Sequence, residues 1–214
     1  VNRPSHDFAV EGEAIRFGLD AIKGVGEAAV DAIIGAREEH GEFGSIWEFT
    51  ERVDGRSVNK AAVEALIRSG AFDCTGATRM GMLSVLDEAV AAGQKARQDR
   101  ESGQESMFDM APADGAAESG LRPPIPQGEF EQADLLKGER DALGVYISEH
   151  PLRQVRAALE QAVDCRMSQL EDRKNGETLT VGGIIAKVTK MRTRKGDPML
   201  RGTLDGTDGT CELL

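Results

Sequence analysis

The sequence predicts a mainly α-helical unit, followed by a flexible linker, a connecting helical segment and an incomplete all-β domain. In the first part of the chain, apolar residues recur at three- and four-residue spacing, as on one buried helix face. Ala, Gly, Ser and Pro then replace this periodicity, and alternating apolar residues appear only after Gly176. These changes divide the chain into residues 1–100, 101–129, 130–175 and 176–214.

Helices in the first region are predicted from apolar spacing and from their caps. A helical pattern interrupted by glycines begins at Ile15. Ser45 and Glu48 are typical of a capping box, in which the Ser hydroxyl accepts from first-turn amides and the Glu folds back on the cap. Further helices are expected over residues 59–69 and 78–98.

The later elements follow from the same kinds of pattern. Helical periodicity returns over residues 130–144 and 152–162. Strands are predicted over residues 178–191, 198–205 and 210–214, separated by turns rich in Gly and Asp.

Composition narrows the classes of function. The 214 residues carry a net charge of −11, from 26 basic and 37 acidic side chains, which argues against a broad basic surface for nucleic acid. No apolar stretch is long enough to span a membrane, and the 3 cysteines form no CxxC pair that would predict a zinc site or a disulfide framework. We therefore predict a reduced, cytoplasmic protein with no metal site and no membrane partner.

The clearest local motif is a Gly-Val-Gly turn in front of a helix. Leu19 and Ile22, followed by this turn and the helix, resemble the helix-hairpin-helix motif. The two glycines permit a tight hairpin, so that backbone amides beside the helix N-terminus can hold a DNA phosphate without contacting a base. Val25 would plug back between the helices, and Lys23 adds a cation. The candidate residues for binding the DNA backbone are Lys23, Gly24, Val25 and Gly26. A glycine turn without a ligand is the alternative.

A second, weaker copy of this layout lies over residues 66–72, between two predicted helices. Gly70 is expected in the left-handed conformation at the end of the first of them. The copy lacks the second glycine, which leaves its phosphate role open. The possible second hairpin contact consists of Arg68, Ser69 and Gly70.

The linker contains one short motif, formed by Gln104, Met107 and Phe108. Two large apolar residues in a polar stretch, preceded by an amide side chain, are typical of a linear peptide that docks its apolar tip in a partner's pocket. The motif resembles the clamp-binding pentapeptide of bacterial polymerases, Gln-x-x-(Leu or Met)-Phe. The alternative is a loop in which Met107 and Phe108 fold onto their own domain.

The predicted β region carries the one basic cluster of the sequence. Five cations lie within nine residues, with no acid among them: Lys187, Lys190, Arg192, Arg194 and Lys195. In an OB fold, the loop between the first two strands lines the groove that binds single-stranded nucleic acid. Three strands are fewer than the five of a complete OB barrel. A solvated β-turn is the alternative.

Known catalytic motifs are missing from the sequence. It contains no Walker loop, no Gly-x-Ser-x-Gly, no HExxH and no dinucleotide-binding glycine motif. Tyr146 and His150 are near enough in sequence to suggest an acid–base pair, but Pro151 directly after His150 favours a rigid corner. We predict no catalytic residue in this chain.

Taken in order, these features resemble the C-terminal part of the bacterial DNA polymerase III alpha subunits, the C-family replicative polymerases. The resemblance rests on the first hairpin, the pentapeptide and the stretches VEALIRSGAFD, GVYISEHPL and TVGGIIAKVTKM. It covers nearly the whole chain apart from the Pro-rich linker.

The resemblance implies a DNA- and clamp-binding fragment of a DNA-directed DNA polymerase, a nucleotidyltransferase, that is not catalytic alone. The first hairpin would contact duplex primer-template DNA, the pentapeptide would dock into the sliding clamp (the beta subunit), and the basic cluster would lie near the single-stranded template. No cofactor is implied for this fragment, whereas Mg²⁺ is implied for the parent polymerase. Other holoenzyme subunits would bind through regions that are missing here.

A second hypothesis stays open at this point. The chain would then be a non-enzymatic adaptor, in which helix-hairpin-helix and OB modules make protein or nucleic-acid contacts in DNA repair.

Overall fold

The computed structural model describes residues 1–102 and 122–214, which form two compact units, Val1–Tyr146 and Ile147–Leu214. The first unit contains β1 (Ala9–Glu11), β2 (Ala14–Arg16), α1 (Glu27–His40), α2 (Ile46–Arg52), α3 (Lys60–Arg68), α4 (Arg79–Ser84), α5 (Leu86–Glu101) and α6 (Gln132–Leu143). The second unit contains α7 (Arg156–Ala162), β3 (Ile184–Arg192), β4 (Pro198–Asp205) and β5 (Thr210–Leu213). Short 3₁₀ helices cover Leu19–Ala21, Asp73–Thr75 and Met167–Asp172.

The predicted fold class, a helical unit followed by a small antiparallel sheet, is confirmed. The predicted connecting segment, residues 130–175, is divided between the two units, because α6 belongs to the first and α7 to the second.

The core of the first unit contains three phenylalanines in edge-to-face contact. The ring of Phe49 in α2 lies edge-on to Phe43 and Phe72, with centroid distances of 5.1 and 4.9 Å. Val30 and Ile33, on the inner face of α1, are fully buried in the same core. Side chains from the loop before α2, from α2 and from the turn after α3 therefore meet at one point.

Polar caps begin α2 and α3. The hydroxyl of Ser45 accepts from the Glu48 N–H at 3.2 Å, and the Glu48 carboxylate accepts from the Gly44 N–H at 2.9 Å. The structure thus forms the cap predicted at Ser45, although the returning bond reaches one residue further back than in a capping box. The Asn59 side chain caps α3 by accepting from the Ala62 N–H at 2.9 Å.

The prediction of a helix that begins at Ile15 is wrong. Residues 9–16 form an antiparallel hairpin in which Val10 pairs with Ile15, around a turn that contains Gly12 at φ 60°. The left-handed glycine lets the chain reverse direction between the two short strands, which interrupts any helical path. Only the single 3₁₀ turn over Leu19–Ala21 precedes the Gly-Val-Gly segment.

The predicted helix over residues 78–98 is divided into α4 and α5. The break is at Val85, with φ −104° and ψ 4°, and its side chain is buried in the core. The change of direction therefore lets both helices place their apolar faces on one core. As predicted, Thr78 caps the first of them, because its hydroxyl accepts from the Gly81 N–H at 3.1 Å.

Residues 122–131, here called the strap, pack on the helical unit, although most of them fall in the predicted linker of residues 101–129. The Arg122 guanidinium donates to the Glu51 carboxylate at 2.7 Å, and Ile125 packs against the helical core. The Thr78 hydroxyl donates to the Pro126 carbonyl at 3.0 Å. Charge, apolar contact and a cap thus hold the strap, and its composition alone does not reveal them.

A buried ion pair attaches α6 to the rest of the helical unit. Arg79, at the start of α4, donates through Nη1 to Glu139 Oε1 at 3.0 Å, and the Glu139 side chain is fully buried. The same guanidinium makes two bonds to the Asp73 carboxylate, at 3.0 and 2.6 Å. Burial acts to lower the pKa of Arg79, but the hydrogen bonds to Asp73 and Glu139 hold it above its ordinary value. The contact is therefore a charged one.

The second unit is an antiparallel sheet in the order β3-β4-β5, with a bulge between Ile185 and Lys187. Its small core is formed by Leu152, Cys165, Met167 and Leu204. The turn before β5 is tied to the 3₁₀ helix, because the Asp208 carboxylate accepts from the Ser168 hydroxyl at 2.7 Å and from its N–H at 3.2 Å.

Replacing Arg79 with Ala should lower the free energy of unfolding of the helical unit by about 3–5 kcal/mol, because the buried Glu139 carboxylate would lose the guanidinium that donates to it. The control is Arg56→Ala, since Arg56 pairs with Glu101 on the exposed surface. Its loss should stay below about 1 kcal/mol. Urea unfolding followed by helical circular dichroism measures both, and equal losses would contradict a dominant role for the buried pair.

Candidate DNA-backbone site

The Gly-Val-Gly segment forms a tight turn between the 3₁₀ helix and α1. Gly24 adopts φ +87°, a left-handed conformation that favours glycine. The Val25 side chain is buried against the helical core, and its N–H donates to the Ile22 carbonyl at 3.1 Å. The turn therefore has the plug predicted for a helix-hairpin-helix motif.

Four backbone N–H groups around this turn are open, on either side of the bonded Val25 N–H. Within residues 1–102 and 122–214, the N–H groups of Gly24, Gly26, Glu27 and Ala28 have no hydrogen-bond acceptor. The last three stand at the N-terminus of α1, a 14-residue helix, where the helix dipole is positive and no side chain caps the end. This arrangement can bind an anion such as a phosphate through the main chain alone.

The space outside the turn is open as well. A Cβ atom added at Gly24 or at Gly26 would meet no atom within 4 Å. Gly24 is needed for its backbone conformation, but Gly26 has φ −89° and ψ 162°, which any residue adopts. The packing of this chain therefore gives no reason for glycine at position 26, whereas close approach of a ligand to the amides gives one.

Contacts on both sides hold the hairpin in place. The Lys23 N–H donates to the Ala142 carbonyl of α6 at 2.8 Å. His6 bridges the two helices of the motif, with Nδ1 at 3.2 Å from Asp20 and Nε2 at 3.1 Å from Asp31. The hydrogen bond to Asp20 raises the pKa of His6, which favours the imidazolium that can serve both carboxylates.

The second predicted hairpin has a similar turn but a covered outer face. Gly70 adopts φ +80°, and Phe72, which stands where the second glycine would be, is fully buried. A Cβ at Gly70 would lie 2.3 Å from Arg79 Nη2 and 2.8 Å from Asp73 Oδ2. The ion pair therefore fills the space that stays open beside Gly24.

The side chains of the second hairpin also have internal partners. Arg68 donates through Nε to the Glu64 carboxylate at 2.9 Å, and the Ser69 hydroxyl donates to the Leu66 carbonyl at 2.9 Å. The geometry favours a structural role for this hairpin over a phosphate contact.

Glu129 of the strap occupies the helix N-terminus that follows the second hairpin. Its carboxylate accepts from the N–H groups of Arg79 at 2.8 Å and Met80 at 3.0 Å. Partial burial acts to raise the pKa of Glu129, but the bonds from the N–H groups of Phe130, Met80 and Arg79 hold it below its ordinary value. An anion from the chain itself therefore takes the place that is open at α1.

The basic cluster lies on β3 and on the turn that follows. Side chains alternate along the strand, so Lys190 and Arg192 share one face of the sheet and Lys187 lies on the other. The two remaining members, Arg194 and Lys195, occupy the turn. All five side chains are exposed and, in the part of the chain that the structure describes, none is in an ion pair.

The predicted clamp-binding residues Gln104, Met107 and Phe108 lie outside the described residues. The described positions on either side meet at one residue, because Arg100 donates to the Glu51 carbonyl and Arg122 donates to the Glu51 carboxylate. Arg100 and Arg122 thus both contact the end of α2.

Tyr146 and His150, considered above as an acid–base pair, have other hydrogen-bond partners. Tyr146 accepts from the Arg140 guanidinium at 2.8 Å, and His150 Nδ1 accepts from the Leu152 N–H at 3.2 Å, which fits a rigid corner. Residues 1–102 and 122–214 contain no group of three or more His, Cys, Asp or Glu side chains placed to hold a metal ion. No helix among them is long and apolar enough to cross a membrane.

Sequence reasoning missed the residues that support the hairpin. The Ala142 carbonyl leaves no signal, because any residue provides one. Glu139 does leave a signal, since an acid stands on the apolar stripe of Leu136 and Leu143, as in a buried ion pair.

Comparison with known proteins places this geometry in a family. Residues 1–82 match the model of the helix-hairpin-helix motif. The whole chain aligns with DNA polymerase III subunit alpha of Deinococcus radiodurans at 39% identity and of Vibrio cholerae at 33% identity. The chain is related to the bacterial DNA polymerase III alpha subunits. The alpha subunit of Thermus aquaticus is similar in the same way, at 32% identity over the whole chain.

The predicted resemblance to the DNA polymerase III alpha subunits is thereby confirmed. The chain spans 18% of the Vibrio cholerae alpha subunit, 17% of that from Thermus aquaticus and 16% of that from Deinococcus radiodurans. The alignments to these alpha subunits include both the helical unit and the β unit.

Replacing Glu129 with Gln should destabilise the helical unit by about 1 kcal/mol at neutral pH, because a charged cap of the α4 amides is lost. The folded-state pKa of Glu129 is lowered, so its contribution is present above the ordinary carboxyl pKa and is lost as the pH falls through the folded value. The stability difference between the two proteins should therefore shrink from pH 6 to pH 3. A difference that stays constant in urea unfolding over this range would show that the charge of Glu129 does not act.

Proposed function

We propose that this chain is the DNA-binding part of a DNA polymerase III alpha subunit, with its first hairpin on the backbone of duplex primer-template DNA. The observation that carries the proposal is the set of four open N–H groups around Gly26, a glycine that neither packing nor backbone conformation requires. Such a site holds phosphates without reading bases, as a polymerase that copies any sequence requires.

Similarity along the whole chain to DNA polymerase III alpha subunits favours this proposal over a stand-alone repair adaptor. Template-directed DNA synthesis would then be the activity of a longer polymerase. This chain would contribute DNA binding to it and no catalytic residue. We propose Mg²⁺ for the full polymerase, because nucleotidyl transfer of this kind uses divalent metal ions.

For the β unit we propose contact with the single-stranded template through Lys187, Lys190, Arg192, Arg194 and Lys195. Their support is exposure without ion pairing among the described residues, which leaves the charges free to replace counterions on a nucleic-acid backbone. Because the cluster covers both faces of β3 and the turn, it fits a strand that passes around the end of this hairpin.

For Gln104, Met107 and Phe108 we propose docking into the sliding clamp, which would make synthesis processive. The support is the match to the pentapeptide pattern, together with flanks that are both fixed to Glu51. A peptide held at both flanks would keep the clamp close to the helical unit.

Gly26→Val should weaken binding of the full chain to a primer-template duplex by roughly tenfold, because its side chain would block hydrogen bonds to a charged phosphate worth about 1.5 kcal/mol. The loss of stability should stay within about 1 kcal/mol, the cost of a poorer N-cap residue, since the backbone at position 26 is extended and its surroundings are open. The matched control is Gly35→Val, at an exposed position of α1 with equally open space. Fluorescence anisotropy at two salt concentrations measures the affinity, and equal affinities of the two variants would refute the hairpin site.

A synthetic peptide of residues 102–111 should bind a bacterial sliding clamp weakly, because a short peptide loses conformational entropy on docking. The Met107→Ala/Phe108→Ala peptide should lose this binding, since it lacks the apolar tip. Surface plasmon resonance on immobilised clamp compares the two, and the same signal from both would count against clamp recognition.

A further inference from the structure

The geometry points to α6 as the element that positions the DNA-binding hairpin, with Glu139 as the positioning residue. This inference rests on the proposed function of the hairpin and adds a second part to its machinery. Helix α6 lies outside residues 1–82, which match the helix-hairpin-helix motif, so the motif alone does not include it.

The direct link between α6 and the hairpin is a main-chain bond. The Lys23 N–H donates to the Ala142 carbonyl at 2.8 Å, and Lys23 immediately precedes the left-handed Gly24. The carbonyls in the last turn of a helix have no partner within the helix, so the Ala142 carbonyl can accept a hydrogen bond from another segment. This bond fixes the backbone where the turn begins, and with it the direction of the amides that follow.

The end of α6 is shaped for this contact. Gly144 adopts φ +82° and its N–H donates to the Arg140 carbonyl at 2.8 Å, which ends the helix just beyond Ala142. The Lys23 ammonium lies 3.7 Å from the position that a Cβ on Gly144 would take. A cation beside the negative end of the α6 dipole adds to the attraction.

Glu139 sets the position of α6 along its axis. It lies one turn before Ala142, is fully buried and accepts from Arg79 at 3.0 Å. Arg79 is itself held by Asp73, so the helix cannot slide without separating a buried carboxylate from its charged partner.

The two hairpins therefore have linked roles. Asp73 and Arg79, which follow the second hairpin, fix α6 through the ion pair with Glu139. Helix α6 in turn fixes the first hairpin through the Ala142 carbonyl. Loosening Glu139 should lower DNA affinity although Glu139 touches no DNA, because the open amides lose their fixed direction.

The test compares the full chain with Glu139→Gln and with the control Glu131→Gln, an exposed glutamate at the start of α6. Hydrogen exchange followed by NMR should show the Lys23 amide exchanging about tenfold faster in Glu139→Gln, with the Ala29 and Val30 amides unchanged. Affinity for a fluorescent primer-template duplex should fall about three- to tenfold. A Lys23 amide as protected as in the control, or control-like affinity, would overturn the inference.

A double variant separates positioning from general destabilisation. If Glu139 acts through the hairpin, Glu139→Gln should weaken DNA binding little further once Gly26→Val is present. Full additivity of the two losses would mean that Glu139 acts elsewhere and would overturn the inference.

Gly144→Ala provides a second route if Glu139→Gln does not fold. It strains the left-handed end of α6 and leaves the ion pair intact, so the same faster exchange at Lys23 is expected. Unchanged exchange at Lys23 would then overturn the inference. The proposed DNA site fails separately, if Gly26→Val binds like its control, whereas the exchange of Lys23 tests the link to α6 without DNA.

Discussion

The buried guanidinium of Arg79 is the interaction on which the helical unit depends. It joins the 3₁₀ turn after α3, the start of α4 and the inner face of α6, segments that are far apart in the chain. Removing two ions from water is costly unless every bond is satisfied, so this contact fixes one arrangement of the helices more strictly than apolar packing does. The strap reinforces it through Glu129, which binds the Arg79 N–H from the other side.

The two glycine turns show how one backbone device can serve two purposes. Gly24 and Gly70 have nearly the same left-handed conformation, at φ 87° and 80°. Beside Gly70 the Arg79–Asp73 ion pair fills the outer face, and Glu129 accepts from the helix N-terminus that follows. Among the described residues, no carboxylate takes the corresponding place after Gly24. The difference lies in the side chains that neighbouring segments place at each turn. It makes the second turn a contact between helices and leaves the first open to an external anion.

The sequence predicted features that depend on neighbouring residues and missed those that depend on distant ones. The caps at Ser45 and Thr78, the plug at Val25 and the three strands follow from local spacing. The predicted helix from Ile15 overlaps the second strand of the hairpin, Ala14–Arg16, because a strand of three residues is too short to establish a period. The strap and the bond from Lys23 to Ala142 join positions tens of residues apart through main-chain and capping contacts, for which no spacing rule exists.

The acidic composition agrees with DNA binding once the pairing of the charges is considered. Most arginines of the helical unit are engaged by carboxylates, as Arg52, Arg97 and Arg122 show, so they contribute little field outside the protein. Lys23 and the β3 cluster have no such partner among residues 1–102 and 122–214. The first proposed contact therefore relies mainly on amide hydrogen bonds and the second on cations, and only the second releases many counterions. Salt should consequently weaken the two proposed contacts to different degrees, with that of the helical unit the less sensitive.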